Sequence, residues 1–263
     1  MRLCAPLQSW GASSRFTRRE TEMMPTKSGV IGMIAAALGM KRSEGLLRFE
    51  GLRFGVRVDQ PGTLMSDYQV AQKFPEKPRS QRITLPLSKR YYLQDAVFLV
   101  GVESEDRQEL ESYREALSHP YYQLFLGRRS CPPDGPIKTD IQDGDLEDVL
   151  KTAPWSATSR YRRYVERTQR HFPERAEGEI VVEPRNEESS GEFIDELNDD
   201  PVSFDPRERK WKSRSIKRLP DAVRFLPSTD GAKPPNSPNG TSELFDDVDI
   251  FGAVADAAKG EKE

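Results

Sequence analysis

The chain has 263 residues, of which 35% are apolar and 32% are charged, enough for one large domain or two small ones with a modest core. Its longest apolar run, residues 30–40, is about half of the roughly 20 residues that cross a bilayer. No charged-then-apolar leader opens the chain. Its two cysteines make neither a disulfide framework nor a metal site. These properties predict a cytoplasmic protein without membrane contact.

The charge is distributed unevenly along the chain. Residues from Asn186 onward carry 18 acidic and 11 basic side chains, whereas the residues before it carry 25 acidic and 29 basic ones. A basic body followed by an acidic segment indicates an anionic partner for the body.

The first forty residues predict a strand, a loop and a helix. Residues 1–7 have the apolar character of a short strand, and the polar residues 8–22 predict a loop. The clearest helix begins at residues 25–29, because Thr26 or Ser28 supplies an N-cap before an alanine-rich apolar run. A helix start presents free N–H groups and a partial positive charge, so it could seat a phosphate. An ordinary capped helix start is the equally weighted alternative.

Two strong strands flank a long basic segment. Residues 52–58 alternate with the period of a half-buried strand, and residues 92–102 are continuous enough for one central strand. The intervening residues 59–91 are too many for a turn and have some strand character. We therefore predict a protruding β-hairpin arm over residues 60–92, rich in lysine and arginine beside two tyrosines.

A helix over residues 103–118 and a strand over residues 121–126 complete a recurrent pattern. The order strand, helix, strand, arm, strand, helix, strand is the βαββαβ plan of ferredoxin-like and RRM domains. We predict the α+β class, with an RRM-like domain over residues 1–135. A strand-rich C-terminal extension over residues 136–220 and a flexible tail over residues 221–263 follow it.

The extension has weaker patterns than the first domain. Residues 145–151 predict a short helix, residues 179–183 a strand, and residues 186–200 an acidic loop. Residues 159–170 are strongly basic, with arginines interleaved with tyrosines. Either RNA or an acidic protein surface is a possible partner for this segment, and the sequence does not choose between them.

The sequence lacks the residue patterns of metal-dependent or hydrolytic chemistry. His119 and His171 are far apart, and no cysteine–histidine cluster has ligand spacing, so we predict no metal and no cofactor. There is no Gly-x-Ser-x-Gly elbow, and the turn at Lys27 and Ser28 lacks the glycine of a Walker loop. Basic residues interleaved with tyrosines favour single-stranded RNA, although the aromatic pattern of the sheet-surface RRM mode is absent.

Five short motifs lie in order along residues 1–133. They read Ala5-Pro6-Leu7-Gln8-Ser9-Trp10-Gly11, Pro25-Thr26-Lys27-Ser28-Gly29-Val30-Ile31-Gly32, Ser66-Asp67-Tyr68, Tyr92-Leu93-Gln94-Asp95-Ala96 and Leu126-Gly127-Arg128-Arg129-Ser130-Cys131-Pro132. Together they resemble the signature motifs of the CasD family. Residues 204–211 are similar to that family's weaker C-terminal element, with extra residues inserted.

The resemblance implies a RAMP fold, which is an RRM-like domain with a long β-hairpin thumb. It implies a place in Cascade, the RNA-guided surveillance complex of type I-E CRISPR antiviral defence. There the subunit caps the CRISPR RNA and holds its 5′ handle. It also contacts the adjacent backbone subunit and the large PAM-reading subunit, and it meets target DNA through the assembled complex.

The resemblance also bears on catalysis. Type I-E members are not nucleases, but a related branch cleaves the precursor RNA without metal, through an active site of Tyr, Lys and His. This chain has no Lys-His pair, and His119 lies off the basic arm. A non-catalytic subunit is therefore the favoured hypothesis, and a metal-independent endoribonuclease ranks below it. A generic single-strand RNA binder that acts alone is a third hypothesis.

The resemblance places the RNA at the helix start, at the two adjacent arginines and along the thumb. Two neighbouring cations near a positive helix end would repel each other, and a polyanion between them removes that conflict. A packing role is the more frequent one for a tryptophan such as Trp10. The residues implied to bind RNA are Gln8, Trp10, Lys27, Ser28, Gly29, Tyr68, Arg79, Arg82, Lys89, Arg90, Gly127, Arg128 and Arg129.

Overall fold

A computed structural model describes residues 1–12, 18–73, 83–168, 177–185, 194–219 and 223–224. All of them belong to one unit, Met1–Pro227. None of the helices formed by these residues has the length and apolar character needed to cross a membrane. Residues 74–82, with the predicted RNA-binding Arg79 and Arg82, lie outside the described residues.

The described residues form four α-helices, one short 3-10 helix and fourteen strands. The helices are α1 (Lys27–Ala37), α2 (Arg107–Ser118), α3 (Leu146–Thr152) and α4 (Ser159–Thr168), with the 3-10 helix at Leu47–Phe49. The first nine strands are β1 (Arg2–Cys4), β2 (Leu7–Gln8), β3 (Arg18–Arg19), β4 (Arg53–Gln60), β5 (Thr63–Gln69), β6 (Gln72–Lys73), β7 (Ile83–Thr84), β8 (Ser88–Gln94) and β9 (Val97–Glu103). The others are β10 (Glu177–Gly178), β11 (Ile180–Val182), β12 (Ile194–Ser203), β13 (Lys210–Arg218) and β14 (Val223–Arg224).

The larger sheet has six antiparallel strands in the order β1-β9-β4-β11-β13-β12. Strands from the first and the last parts of the described chain therefore share one sheet. One face of the sheet carries the main core, in which Phe54 and Phe98 pack with Val30 of α1 and Leu117 of α2. The predicted α+β class is confirmed, with an antiparallel sheet.

Two glycines allow α3 to lie close to the opposite face of this sheet. Side chains alternate along a strand, so Gly55 of β4 and Gly101 of β9 face away from the main core. A Cβ atom at Gly55 would lie 2.9 Å from Leu150, and one at Gly101 would be closer still to Leu146. The leucines of α3 therefore pack directly on the strand backbones.

A second sheet forms the described part of the arm. β5 pairs antiparallel with β8 over seven residue pairs, and β2 and β3 also pair with β8. β6 and β7 pair further along the arm. β8 thus holds together the arm and the beginning of the chain.

The single central strand predicted over residues 92–102 is wrong, because the chain changes sheets there. Asp95 takes a left-handed backbone conformation (φ 55°) between β8 and β9. Its N–H donates to the carbonyl of Pro6 at 3.1 Å, and its own carbonyl accepts from the side chain of Gln60. β8 consequently joins the arm sheet, and β9 joins the larger sheet.

Two further sequence-based assignments are corrected by the structure. Residues 121–126 form no strand, since the N–H groups of Tyr121 and Tyr122 donate to the last carbonyls of α1. The predicted acidic loop over residues 186–200 includes the start of β12, which pairs with the basic β13. In both places tertiary hydrogen bonding overrides the local pattern.

A buried ion pair fixes the end of β4 to the chain that follows α3. Arg57 has 0% relative exposure, and its guanidinium lies 2.6 and 3.0 Å from the carboxylate oxygens of Asp59. It also donates to the carbonyls of Leu150, Ala153 and Pro154 at 2.6 to 2.8 Å. Such a group is satisfied only while all of its partners stay in place.

We expect Arg57→Met to lower the free energy of unfolding by about 3–5 kcal/mol, because it leaves Asp59 buried without its cation. Urea denaturation measures this change. Arg107→Met is the matched control, because Arg107 is exposed and pairs with Glu111 and Asp143 at the surface. The control should cost less than about 1 kcal/mol, and equal stability of the two variants would contradict the assignment.

Candidate nucleic-acid interface

The two adjacent arginines lie on a tight turn formed by residues 126–131, here called the 126–131 turn. Leu126 N–H donates to the carbonyl of Cys131 at 2.7 Å, and Cys131 N–H donates to the carbonyl of Arg128 at 2.9 Å. Gly127 has φ 88°, and a Cβ atom there would overlap with the carbonyl oxygen of Ser9. Glycine is therefore required at this position by its backbone conformation and by its contact with Ser9.

Arg128 and Arg129 differ in their surroundings. Arg128 donates to the carbonyls of Tyr91 at 3.0 Å and Arg19 at 2.9 Å, and its guanidinium lies 4.9 Å from the ring centroid of Tyr92. It therefore joins the turn to β8 and β3. Arg129 is exposed, and no described residue forms an ion pair with it. Arg129 is thus the more available of the two to a ligand.

Gln8 and Trp10 lie beneath this surface. Both are buried, at 0% and 1% exposure, and the indole N–H of Trp10 donates to the side-chain oxygen of Gln8 at 3.1 Å. Gln8 in turn donates to the carbonyl of Ala96 at 2.7 Å. A Cβ atom at Gly29 would lie 2.9 Å from the indole ring. This packing favours a supporting role for both residues over direct contact with RNA.

Several carboxylate side chains bind Lys27 inside the protein. The residue is 8% exposed, and its ammonium lies 2.9 Å from Glu183 and 3.4 Å from Asp200. Its backbone N–H donates to Asp199 at 2.7 Å, and Arg214 lies 2.6 Å from the same carboxylate. We call these five residues the Lys27 cluster.

The Lys27 cluster bears on the predicted phosphate seat. Thr26 is the N-cap of α1 and accepts from the N–H of Gly29 at 3.2 Å. Asp199 takes the N–H of Lys27, so carboxylate and hydroxyl oxygens occupy donors that a phosphate would need. The arrangement favours an internal role for Lys27, and its contact with RNA stays a prediction.

A cleft of about 770 Å³ lies beside α1, between residues 122–129 and the segment that follows β12. We call it the α1 cleft. It brings Ser28 and Gly29 of α1 together with Gly127 and Arg129 of the 126–131 turn. Four cations border it, namely Lys41, Arg42, Arg129 and Arg209.

The α1 cleft is electrostatically one-sided. Its lining contains no aspartate or glutamate, and within the described chain none of its four cations pairs with a carboxylate. Met33, Phe125 and Phe204 add apolar surface to the same cleft. A cleft of one charge sign focuses its field on an anionic ligand, and apolar walls suit the face of a base.

The arm carries a second cationic and aromatic surface, here called the arm face. Tyr68 is 58% exposed, and the ammonium of Lys89 lies 5.3 Å from its ring centroid and 5.1 Å from that of Tyr91. The guanidinium of Arg18 lies 5.4 Å from the ring of Tyr91. The neighbouring Tyr91 and Tyr68 raise the pKa of Lys89, so it keeps its charge. Alternating cations and rings suit phosphates and stacked bases of a single strand.

Arg90 points to the opposite side of β8 from Lys89, because neighbouring residues on a strand alternate in direction. Its Nε atom is buried without a hydrogen-bond partner in the described chain. Arg90 therefore does not belong to the arm face, and its contact with RNA stays a prediction.

Sequence reasoning missed several residues of this interface. Arg18, Lys41, Arg42 and Arg209 border the arm face or the α1 cleft, although no local pattern distinguished them from solvated surface charges. Only the tertiary contacts bring the loop after α1 and the loop after β12 to the same cleft. Charge counted by segment could not reveal this proximity.

The fold and the interface define an antiparallel α+β protein with a basic cleft beside a basic, tyrosine-bearing arm. Residues 1–217 match the family model for CRISPR-associated protein Cas5, and the chain belongs to this family. It is 30% identical over 151 residues to the CRISPR system Cascade subunit CasD of Escherichia coli (strain K12). That match spans 52% of this chain and 67% of CasD. The resemblance to the CasD family is therefore confirmed.

Two solved structures are similar over most of the chain. One belongs to a CRISPR RNA-guided surveillance complex, with 31% identity and a TM-score of 0.65, and the match covers 85% of this chain and 90% of that one. The other is a crystal structure of a Cas protein, with 30% identity and a TM-score of 0.59, covering 85% and 93%.

We expect Gly127→Ala to destabilise the protein by about 2 kcal/mol or more, because both its positive φ and its contact with Ser9 exclude a Cβ atom. Thermal unfolding followed by circular dichroism measures the loss. Gly135→Ala is the matched control, since nothing lies within 4 Å of a Cβ atom there. If both variants unfold at the wild-type temperature, the constraint on the 126–131 turn is refuted.

Proposed function

We propose that this protein is a non-catalytic, RNA-binding subunit of a type I-E Cascade surveillance complex, in which it caps the CRISPR RNA and holds the 5′ handle. The observation that carries the proposal is the α1 cleft, where four cations without carboxylate partners among the described residues meet two of the family motifs. The identity to CasD and the similarity to a surveillance-complex structure support it.

The two surfaces suggest how RNA is held. Phosphates of the handle bind in the α1 cleft at Arg129, with Arg209 and Arg42 on its other sides. A base then stacks on the arm face at Tyr68, where Lys89 neutralises the adjoining phosphate. The scheme needs only positioned cations and aromatic rings, which bind single strands with little dependence on sequence.

The finer architecture belongs to the same proposal. The pairing of β1, β9 and β4, with α1 and α2 on one face, supports an RRM-like plan whose thumb is the arm over residues 60–92. In the assembled complex, surfaces outside the α1 cleft contact the backbone subunit and the large subunit. Target DNA is then met through the complex as a whole.

The described geometry favours holding RNA over cleaving it. His119 lies at the exposed end of α2, with Nδ1 3.0 Å from Glu115, and not beside the lysine and tyrosines of the arm face. Some members of the family cleave precursor RNA, so an experiment must decide between an endoribonuclease and a non-catalytic subunit. Purified protein incubated with repeat RNA in EDTA should leave the RNA intact, and specific cleavage would overturn the non-catalytic assignment.

Substitution of the two adjacent arginines should separate binding from stability. Arg129→Ala should weaken binding of handle RNA roughly three- to tenfold at moderate salt, since one phosphate contact is lost. Its melting temperature should stay at the wild-type value. Arg128→Ala should lower both the affinity for handle RNA and the melting temperature, because it removes hydrogen bonds to β8 and β3. Filter binding and thermal unfolding measure the two effects.

Arg114→Ala is the matched control for these variants, as Arg114 is an exposed arginine on α2, away from the cleft. It should leave RNA binding and melting unchanged. If the complex reconstituted with Arg129→Ala retains as much RNA as the wild-type complex, the role assigned to the α1 cleft is refuted. RNA binding by the chain alone, without co-purification of CRISPR partner subunits, would favour the independent RNA binder.

A further inference from the structure

The basic segment over residues 159–168 is a helix fixed at the base of the arm. Thr158 precedes α4, and its carbonyl accepts from Arg162 N–H at 2.9 Å. The Thr158 hydroxyl lies 2.9 Å from the side-chain oxygen of Gln60, and the amide nitrogen of Gln60 donates to the carbonyl of Asp95. α4 is therefore tied to the point where β8 and β9 separate.

Three arginines form an outward stripe on α4, here called the arginine stripe. Val165 is fully buried and fixes which side of the helix faces the protein. At about 100° per residue, Arg160, Arg163 and Arg167 lie within about 60° of one another on the opposite side. All three are exposed. With a rise of about 1.5 Å per residue, they span about 10 Å of the surface.

The arginine stripe has no carboxylate partner within the part of the chain that the structure describes. Glu166, the acidic residue of α4, lies about 60° from Arg163 at the edge of the stripe, and no ion pair joins it to the three arginines of the stripe. The helix's tyrosines pack in a row beside the stripe, with Tyr161 6.3 Å from Trp155 and 6.2 Å from Tyr164 between ring centroids. Tyr164 is nevertheless 45% exposed, so the surface consists of the three guanidinium groups with one partly covered ring beside them.

This composition distinguishes between the possible partners. The centre of a protein–protein interface is depleted of charge overall, and the arginine that is enriched there accompanies apolar or aromatic anchors, whereas the centre of this surface is three adjacent arginines. Nucleic-acid interfaces are polar and strongly positive. Single strands are bound by stacking on several free aromatic faces, but this surface offers one ring, Tyr164, which is 45% exposed and lies 6.2 Å from Tyr161. A row of three cations with one partly covered ring suits the charged backbone of a duplex.

We propose that the arginine stripe of α4 is a second nucleic-acid surface, separate from the α1 cleft, that binds the phosphate backbone of duplex nucleic acid without sequence preference. Guanidinium groups suit this task because they stay protonated and match phosphate geometry with two parallel N–H donors. The surface begins at the arm base. A duplex bound there lies next to the strand held by the arm.

The test uses the full-length protein and a fluorescein-labelled DNA duplex of random sequence. The variant is Arg163→Gln with Arg167→Gln, and fluorescence anisotropy gives the affinity between about 50 and 200 mM salt. Loss of two phosphate contacts should reduce the slope of log K against log salt by about 2 and weaken binding about tenfold at the lowest salt. A second duplex of unrelated sequence should show the same loss.

The control is Arg107→Gln with Arg114→Gln, which removes the same charge from α2 and should leave duplex binding close to wild type. Handle RNA should bind the α4 variant as it binds wild type. A failure of this proposal can therefore be distinguished from a failure of the role proposed for the α1 cleft. If circular dichroism shows lost helix in the double variant, Arg160→Gln replaces it, with an expected change in slope of about 1.

Three results would overturn the proposal. Duplex affinity and salt slope equal in wild type and the α4 variant would show that the stripe contacts no phosphate. An equal loss for single-stranded RNA would show that the surface does not select a duplex. Unchanged duplex binding with lost assembly of a partner subunit would assign α4 to an acidic protein surface instead.

Discussion

The candidate nucleic-acid interface depends on the carboxylates that hold the β12–β13 hairpin against the start of α1. Asp199 accepts from the first N–H of the helix and from Arg214, while Glu183 and Asp200 neutralise Lys27. These contacts bring β12 alongside α1, so that the loop after β12 reaches the α1 cleft. A buried ion network of this kind adds little net stability, but it is unfavourable to break and so fixes one arrangement.

The same cluster determines which charges face a ligand. Lys27 is the cation nearest to the helix start, yet its charge is balanced internally, so the potential of the α1 cleft comes from the exposed arginines and Lys41. Arg128 satisfies its N–H groups with carbonyl oxygens, which carry no formal charge. The positive charge of the 126–131 turn is therefore not cancelled within the described chain, and an anion close to the turn lowers the electrostatic energy.

Local sequence patterns predicted the elements whose stability is local and failed where long-range contacts decide. α1 and α3 have N-caps of their own, β4 has the apolar alternation of a strand, and each of the three lies close to its predicted position. β12 has little apolar periodicity, because it pairs with a basic strand: Asp200 lies 3.3 Å from Lys212, and Asp195 lies 3.5 Å from Arg218. The motifs located the 126–131 turn, but the carboxylates that engage Lys27 lie more than 150 residues away in sequence.

The three basic surfaces differ in what accompanies their cations, and this difference determines which part of a nucleic acid each can bind. The α1 cleft combines cations with apolar walls, so it can enclose a nucleotide and bind its phosphate. The arm face alternates cations with tyrosines, so binding there gains from stacking and depends less on salt. The arginine stripe of α4 presents three cations beside one partly covered ring, so its binding must come mainly from counterion release. Salt dependence should therefore rank the surfaces, with α4 the most sensitive, because it has the least apolar and aromatic surface to supplement the charge.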